Sequence, residues 1–272
     1  MDYKFLSIEK RDHIATCVMS NPPTHTMVAE EANELYLFLE AIEEDADTRV
    51  IVFTGAGEDV FIKHYEVGEL SKASDTAIDQ TAGSAAEPSR GPSHGLREVI
   101  VKMESMDLMT IAAINGSTMG GGLEFALGCD FRLQRQGRFR LGLPETGVGI
   151  LPGGGGTQRL ARMLGTAKAL DLILLGQTYS PDEAFEMGIV SRLMSNEHFS
   201  QDVADFAATL AKRAPRALAN AKRAIREGIE MSLEDGLTLE GRLFAELLET
   251  EDAALAMKAL LAGEDPPEFK GR

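Results

Sequence analysis

Two glutamates and a run of glycines carry the strongest chemical signal in this chain. In Ile111-Ala112-Ala113-Ile114-Asn115-Gly116-Ser117-Thr118-Met119-Gly120-Gly121-Gly122-Leu123-Glu124, an apolar strand runs into three glycines and then a helix, Leu123 to Leu127. Such a glycine run lets the backbone aim N–H groups outward, and the helix that follows adds its positive end. An oxyanion hole needs both. Glu124 falls in the first helical turn, beside that hole. A carboxylate that merely caps a helix N-terminus fits the same pattern, so both readings stay open here. A second carboxylate follows in Leu143-Pro144-Glu145-Thr146-Gly147. Paired carboxylates near an oxyanion hole suit general acid–base work, one on water and one on a carbon acid. Spacing along the chain does not say whether the two meet.

Other motifs carry less. Gly91-Pro92-Ser93-His94-Gly95 matches G-x-S-x-G by letter. A nucleophile elbow needs a buried strand before its serine, and Ala85 to Arg90 reads as loop. Pro152-Gly153-Gly154-Gly155-Gly156-Thr157 lacks the lysine of a P-loop, and Pro152 takes the third glycine position of a dinucleotide fingerprint. It reads as a tight turn into a helix that lets backbone approach a ligand. The five histidines, at 13, 25, 64, 94 and 198, have no metal-ligand spacing, so no metal site is expected.

The elements that must position these residues follow from periodicity. Tyr3 to Lys10 and His13 to Ser20 alternate around Arg11-Asp12 and predict a hairpin. Met27 to Ala46 is helical, with Ala32, Leu35, Leu39 and Ile42 on one face. Val50 to Phe53 and Ile111 to Ile114 are short, wholly apolar strands. Alternating with helices, they predict a buried, parallel-rich α/β core. Ser71 to Gly95 is rich in small and turn-forming residues, and its part from Thr81 to Gly95 reads as a mobile loop. From about Ser180 the pattern is helical only. Val203, Phe206, Ala207 and Leu210 share a face, and Pro215 opens the next helix.

Composition bounds the partners. With 272 residues, 44% hydrophobic and 26% charged, the chain can fold around a large core. A net charge of −16 argues against nucleic acid and against an anionic membrane as partners, though not against an anionic ligand in a local basic pocket. No apolar run approaches the ~20 residues of a membrane helix. Cys17 and Cys129 form no Cys-x-x-Cys pair. The strand-like start at Tyr3 leaves no room for a leader peptide, so a reducing, cytoplasmic setting is expected.

On these residues the chain resembles the crotonase (enoyl-CoA hydratase/isomerase) superfamily over nearly its whole length. The resemblance is carried by Ser20-Asn21-Pro22-Pro23, by Val50 to Gly55, by Ile111 to Asp130, and by Leu143-Pro144-Glu145 through Gln158-Arg159-Leu160. Ala184 to Val190 and Glu268-Phe269-Lys270-Gly271-Arg272 add to it. It implies an α/β fold, a crotonase-like spiral of ββα turns over residues 1–195. A C-terminal helical segment over 196–272 would serve trimers or hexamers made of paired trimers. It implies an acyl-CoA thioester substrate and no cofactor, coenzyme A being part of the substrate. The backbone N–H groups of Tyr65 and Gly121 would polarise the thioester carbonyl. Glu124 would help activate a water, and Glu145 would supply the α-proton. Lys63, His64, Gly120 and Gly153 would contact substrate.

The chain also departs from the family. Phe-x-Ala-Gly-Ala-Asp becomes Phe61-Ile62-Lys63-His64-Tyr65-Glu66. Backbone donation survives such a change, while the pocket should become narrower and more polar. His64 and Tyr65 stand as gate residues, substrate contacts or extra acid–base groups, or as packing for the nearby loop. One extra residue separates the glutamates, placed in an expected hairpin turn at Arg135-Gln136-Gly137-Arg138. The family's basic pair near the C-terminus is replaced by Gly263-Glu264-Asp265, leaving Lys270 for a coenzyme A phosphate. Hydration of a 2-enoyl-CoA is the leading expectation. The alternatives are isomerisation, decarboxylation or C–C hydrolysis through the same enolate, or a silent coenzyme A-binding protein.

Overall fold

The alternating runs at the start of the chain do form a hairpin. In the computed structural model, which describes residues 2–82 and 94–272, β1 (Leu6–Arg11) and β2 (Ile14–Met19) pair antiparallel with Arg11 opposite Ile14. The two-residue turn is therefore Asp12-His13, both at positive φ (49° and 65°), which matches the twist of the paired strands. β1 begins at Leu6 rather than Tyr3, because the Lys4 and Phe5 N–H groups donate to the Glu34 carboxylate instead of to a strand. Helix α1 (Ala29–Glu43) carries that glutamate. It starts after Met27, whose backbone pairs with the segment around Tyr65.

β3 (Val50–Gly55) leads to α2 (Val67–Ala82) and α3 (Leu96–Ser105). Thr81 and Ala82, expected in a loop, end α2; most of that loop and of the G-x-S-x-G match lies outside the described residues. β4 (Met109–Ile114) and β5 (Thr118–Met119) run into α4 (Gly121–Gly128), two residues earlier than expected. β6 (Phe131–Arg135) and β7 (Leu141–Gly142) follow. They form no hairpin around Gly137. β6 lies parallel between β4 and the later β9, while β7 joins a second sheet, so Arg135 to Arg138 crosses between walls. A 3₁₀ turn (Glu145–Val148) precedes α5 (Gly156–Leu164), α6 (Thr166–Leu174), β8 (Thr178–Tyr179) and α7 (Pro181–Met187). The stretch after Ser180 is not helical throughout: β9 (Arg192–Met194) adds a last strand to the large sheet. Then come α8 (Phe199–Ala211), α9 (Pro215–Gly228), α10 (Leu233–Leu248) and α11 (Glu251–Ala262).

The large sheet has the order β1-β2-β3-β4-β6-β9 and is parallel except for β1. Its central strands β3 and β4 are mostly apolar because both faces are covered. Ile51, Phe53, Ala112 and Ile114 face one core with α1, α3 and α4. Val50, Val52, Met109, Ile111 and Ala113 face a second core, closed by Phe199, Val203, Ala207 and Ala211 along α8. Alternate residues of one strand thus serve two layers. The small sheet, β5-β7-β8, is extended by bridges from Ser117 to Val60 and from Tyr65 to Met27. Each turn of the chain therefore passes through one wall, then the other, then a helix, which is the crotonase-like spiral.

Every residue of α4 is buried. Phe125 meets Phe53 edge-to-face at 5.1 Å. A helix buried all round should be apolar all round, and Glu124 is the exception. The helical end of the chain is tied to this core by α9. Its Lys222 Nζ donates to the Met103 and Leu108 carbonyls and lies 3.0 Å from an Asp130 oxygen. After α11 the tail folds back, and Arg49, just ahead of β3, donates to the Phe269 carbonyl. Lys270 therefore sits where β3 begins, at the other end of the parallel β3–β4 pair from the glycine run that follows β4.

Phe125→Ala should cost about 3–5 kcal/mol in urea-unfolding free energy, because it empties a fully buried ring site. A loss under about 1 kcal/mol would mean that α4 is not the packing centre of the fold.

Candidate active site

The site lies where β5 gives way to α4. Gly120 has φ 50° and ψ −129°, a backbone state that L-residues rarely adopt. A Cβ there would also stand 2.9 Å from Glu145 Oε1. Glycine at 120 thus both turns the chain into α4 and lets the second carboxylate close in. A Cβ on Gly121 would lie 3.0 Å from Tyr65 Cβ and 3.5 Å from Tyr65 N, so these two backbone segments nearly touch. Among the described residues, neither the Tyr65 N–H nor the Gly121 N–H donates a hydrogen bond. Two unused donors lie together at the positive end of a helix.

Glu124 is 3% exposed. Its Oε1 accepts a 2.7 Å hydrogen bond from the Gly156 N–H. Its Oε2 lies 3.0 Å from where a Cβ on Gly154 would stand. Burial raises the Glu124 pKa, while the N–H groups of Gly156, Gly154 and Gly155 and the Arg159 charge oppose the rise. The glycine turn before α5 is therefore a cradle for a carboxylate. Gly153, at its outer edge, has open space around it.

Glu145 opens the 3₁₀ turn after β7. Its Oε2 is buried and has no hydrogen-bond partner among the described residues. Burial pushes its pKa up to about 7, helped by the Glu124 charge and opposed by a bond from its own backbone N–H. A carboxyl with one free oxygen, titrating at about 7 beside a second carboxyl, suits proton transfer near neutral pH.

The remaining expected residues divide. His64 is half-buried, with Nδ1 2.7 Å from the Tyr65 carbonyl, and its Cβ lies 3.9 Å from a Cβ position on Gly120. It borders the Glu145 side of the site. The Tyr65 ring packs against the first core, with Glu69 beside it; burial first, then the Glu69 charge, raises its pKa. The ring thus packs on the core, while the loop it was expected to meet lies largely outside the described residues. Lys63 is exposed, and its carbonyl accepts from the Met119 N–H, which puts it on the wall next to β5.

Two residues had no assigned role in the sequence. Leu96 Cδ2 lies 3.1 Å and 3.2 Å from Cβ positions on Gly121 and Gly154, so this leucine roofs the space between the two glycine segments. It opens α3 after the polar stretch, and nothing local marks it. Arg159 donates to the Gly154 carbonyl at 3.0 Å. It is visible in the sequence only as part of a recognisable string.

The sequence pattern of the enoyl-CoA hydratase/isomerase family matches residues 9–272. A probable enoyl-CoA hydratase of Bacillus subtilis is 34% identical over 98% of both chains. A short-chain-enoyl-CoA hydratase of Clostridium acetobutylicum is 30% identical over the full length of both. The crystal structure of an enoyl-CoA hydratase from Bacillus anthracis superposes with a TM-score of 0.87 at 30% identity, covering 99% of this chain and 100% of that one. With such matches along its whole length, and the α/β spiral to go with them, this chain belongs to the enoyl-CoA hydratase/isomerase family.

Proposed function

We propose that this protein adds water to a 2-enoyl-CoA. The observation that carries this reading is that two carboxyls feel each other's charge beside the glycine run, Glu124 cradled by the Gly156 N–H and Glu145 set against Gly120 with its Oε2 unpartnered. The thioester carbonyl accepts hydrogen bonds from the Tyr65 and Gly121 N–H groups. Ionised Glu124 takes a proton from water as the water oxygen bonds to the β-carbon. The double-bond electrons move onto the thioester oxygen as an enolate. Protonated Glu145 then gives its proton to the α-carbon, and exchange with solvent restores both carboxyls. Donors that bind the enolate more tightly than the ground state supply ~3–4 kcal/mol each. Acid–base transfer adds ~10²–10⁴-fold.

No resident cofactor enters this scheme, coenzyme A arriving with the substrate. Exposed Lys63, on the wall beside β5, suits a coenzyme A phosphate on an otherwise acidic chain. His64, Gly120 and Gly153 line the acyl thioester in this reading. We also propose a homotrimer or paired trimers, built through the segment from residue 196 on. Leu233, Leu237, Phe244, Leu260 and Leu261 on α10 and α11 are all more than half exposed, and apolar side chains so placed favour a partner surface. With both cysteines buried and unpaired, a cytoplasmic setting suits the chain.

Double-bond isomerisation is the second reading. It needs a single shuttle, and an unpartnered carboxyl titrating at about 7 would serve.

Crotonyl-CoA hydration, followed as loss of enoyl-thioester absorbance, separates these. Glu124→Gln and Glu145→Gln should each lose ~10²–10⁴-fold in kcat while binding coenzyme A normally. Hydration retained in either variant removes that residue from the scheme. Isomerisation that persists in Glu124→Gln, without hydration in the wild type, selects the second reading. The rate of hydration should fall as pH rises through about 7, where Glu145 loses the proton it must donate. It should also fall in acid, as Glu124 is protonated. A flat profile across neutrality would contradict the role of Glu145. Leu96→Ala should enlarge the roof and raise the kcat/KM ratio of a β-branched enoyl-CoA over crotonyl-CoA about tenfold; an unchanged ratio would put Leu96 outside the acyl pocket.

A further inference from the structure

Behind Glu124 stands a chain of charged groups with no place in the scheme above. Arg159 Nε and Nη2 donate to the two oxygens of Glu104 at 2.8 and 2.5 Å, a forked pair that fixes the guanidinium plane. The remaining nitrogen, Nη1, donates to the Gly154 carbonyl. Glu104 on α3 also accepts from Arg226 of α9 at 3.0 Å, and Arg226 reaches Asp130 at 2.9 Å. Asp130 in turn faces Lys222. The Arg159 and Glu104 side chains are only 16% and 24% exposed, so water screens this chain weakly.

We propose that Arg159 is the positioning residue for Glu124: clamped by Glu104, it pins the Gly154 carbonyl and thereby fixes the turn whose N–H groups hold that carboxylate. This rests on the reading of Glu124 as the base that activates water.

Geometry and charge agree. Gly154 and Gly156 flank the Glu124 oxygens at contact distance. A turn with four glycines in a row has little stiffness of its own, so an external anchor must hold it. Arg159 provides that anchor from the first turns of α5, on a plane already set by Glu104. Four part-buried or buried cations gather here: Arg159, Arg226, Lys222 and Arg132. Asp130 and Glu104 pair with three of them but carry only two negative charges against their four positive ones. An ionised Glu124 brings a third negative charge, and Arg159, the cation that reaches it, favours the anion. The charged groups facing Glu124 itself are Arg159 from α5 and Glu145 from the 3₁₀ turn; α3 faces it with the apolar Leu96. The arrangement also ties the C-terminal helices to the chemistry, because Arg226 holds the residue that holds Arg159.

Arg159→Met and Arg159→Lys test this in the full chain. In Arg159→Met, kcat for crotonyl-CoA hydration should drop about ten- to a hundredfold with KM changed less than about twofold. The acid limb of kcat/KM should move to higher pH, since a lost positive charge makes Glu124 easier to protonate. Arg159→Lys keeps the charge but cannot fork, so its acid limb should stay while kcat falls. A second readout needs no turnover: the ¹³C carboxyl resonance of Glu124, assigned by its absence in Glu124→Gln, should titrate at higher pH in Arg159→Met. A wild type inactive on crotonyl-CoA would defeat the hydratase reading and leave this titration to judge Arg159. A wild-type acid limb and an unmoved ¹³C titration in Arg159→Met overturn the proposal. If Arg159→Met does not fold by circular dichroism, an undiminished kcat in Arg159→Lys overturns it instead.

Discussion

Glu124 holds its carboxylate where water is nearly excluded, and a carboxylate in such a place must find donors or give up its charge. Much of the surrounding structure answers that demand. The Gly156 N–H bonds it directly, with the Gly154 and Gly155 N–H groups close by. α4, which carries it, is buried on every side and set by Phe125 against Phe53. α4 can start where it does because Gly120 turns the chain at positive φ with no side chain in the way of Glu145. A methyl group at 120 would both strain that turn and strike the second carboxylate.

The two carboxyls are then set apart by their surroundings rather than by their type. Both are raised by burial. Glu124 has three N–H groups and an arginine pulling the other way, whereas Glu145 has one N–H and, against it, the charge of Glu124 itself. Two carboxyls that share a space resist double ionisation. The proton therefore stays on the one with fewer donors, Glu145. In the proposed reaction this division supplies an acid and a base at one pH from the same residue type.

Much of this was legible in the sequence, for a definite reason. The wholly apolar runs at Val50 to Phe53 and Ile111 to Ile114 announce strands covered on both faces, and the two core clusters cover them. The glycine run before Glu124 marks a backbone that must turn and approach something closely, and it does both. What stayed hidden depended on long-range pairing. β9 is three residues long, too short for any periodicity, and exists because β6 offers it an edge. The turn at Gly137 resembles a hairpin locally, but the second wall captures β7 before β6 can pair with it. Leu96 and Arg159 matter through where their tips reach, and a tip's reach leaves no trace in local spacing.

The altered segment Lys63-His64-Tyr65 shows how the fold tolerates sequence change beside its chemistry. What it presents beside Gly121 is a main-chain N–H, and the segment is held by backbone bonds on both sides, to His25 and Met27 and to Met119. Main-chain pairing does not depend on side-chain identity, so these three positions are free to vary while the donor stays put. The side chains then part: Tyr65 turns into the core, His64 toward Gly120, and Lys63 into solvent. The side chains at 63 and 64 can thus change without disturbing the N–H of Tyr65. The glutamates have no such freedom, because the contacts involve their carboxyl groups: Glu124 fits against Gly154 and Gly156, and Glu145 against Gly120, where a Cβ would crowd them.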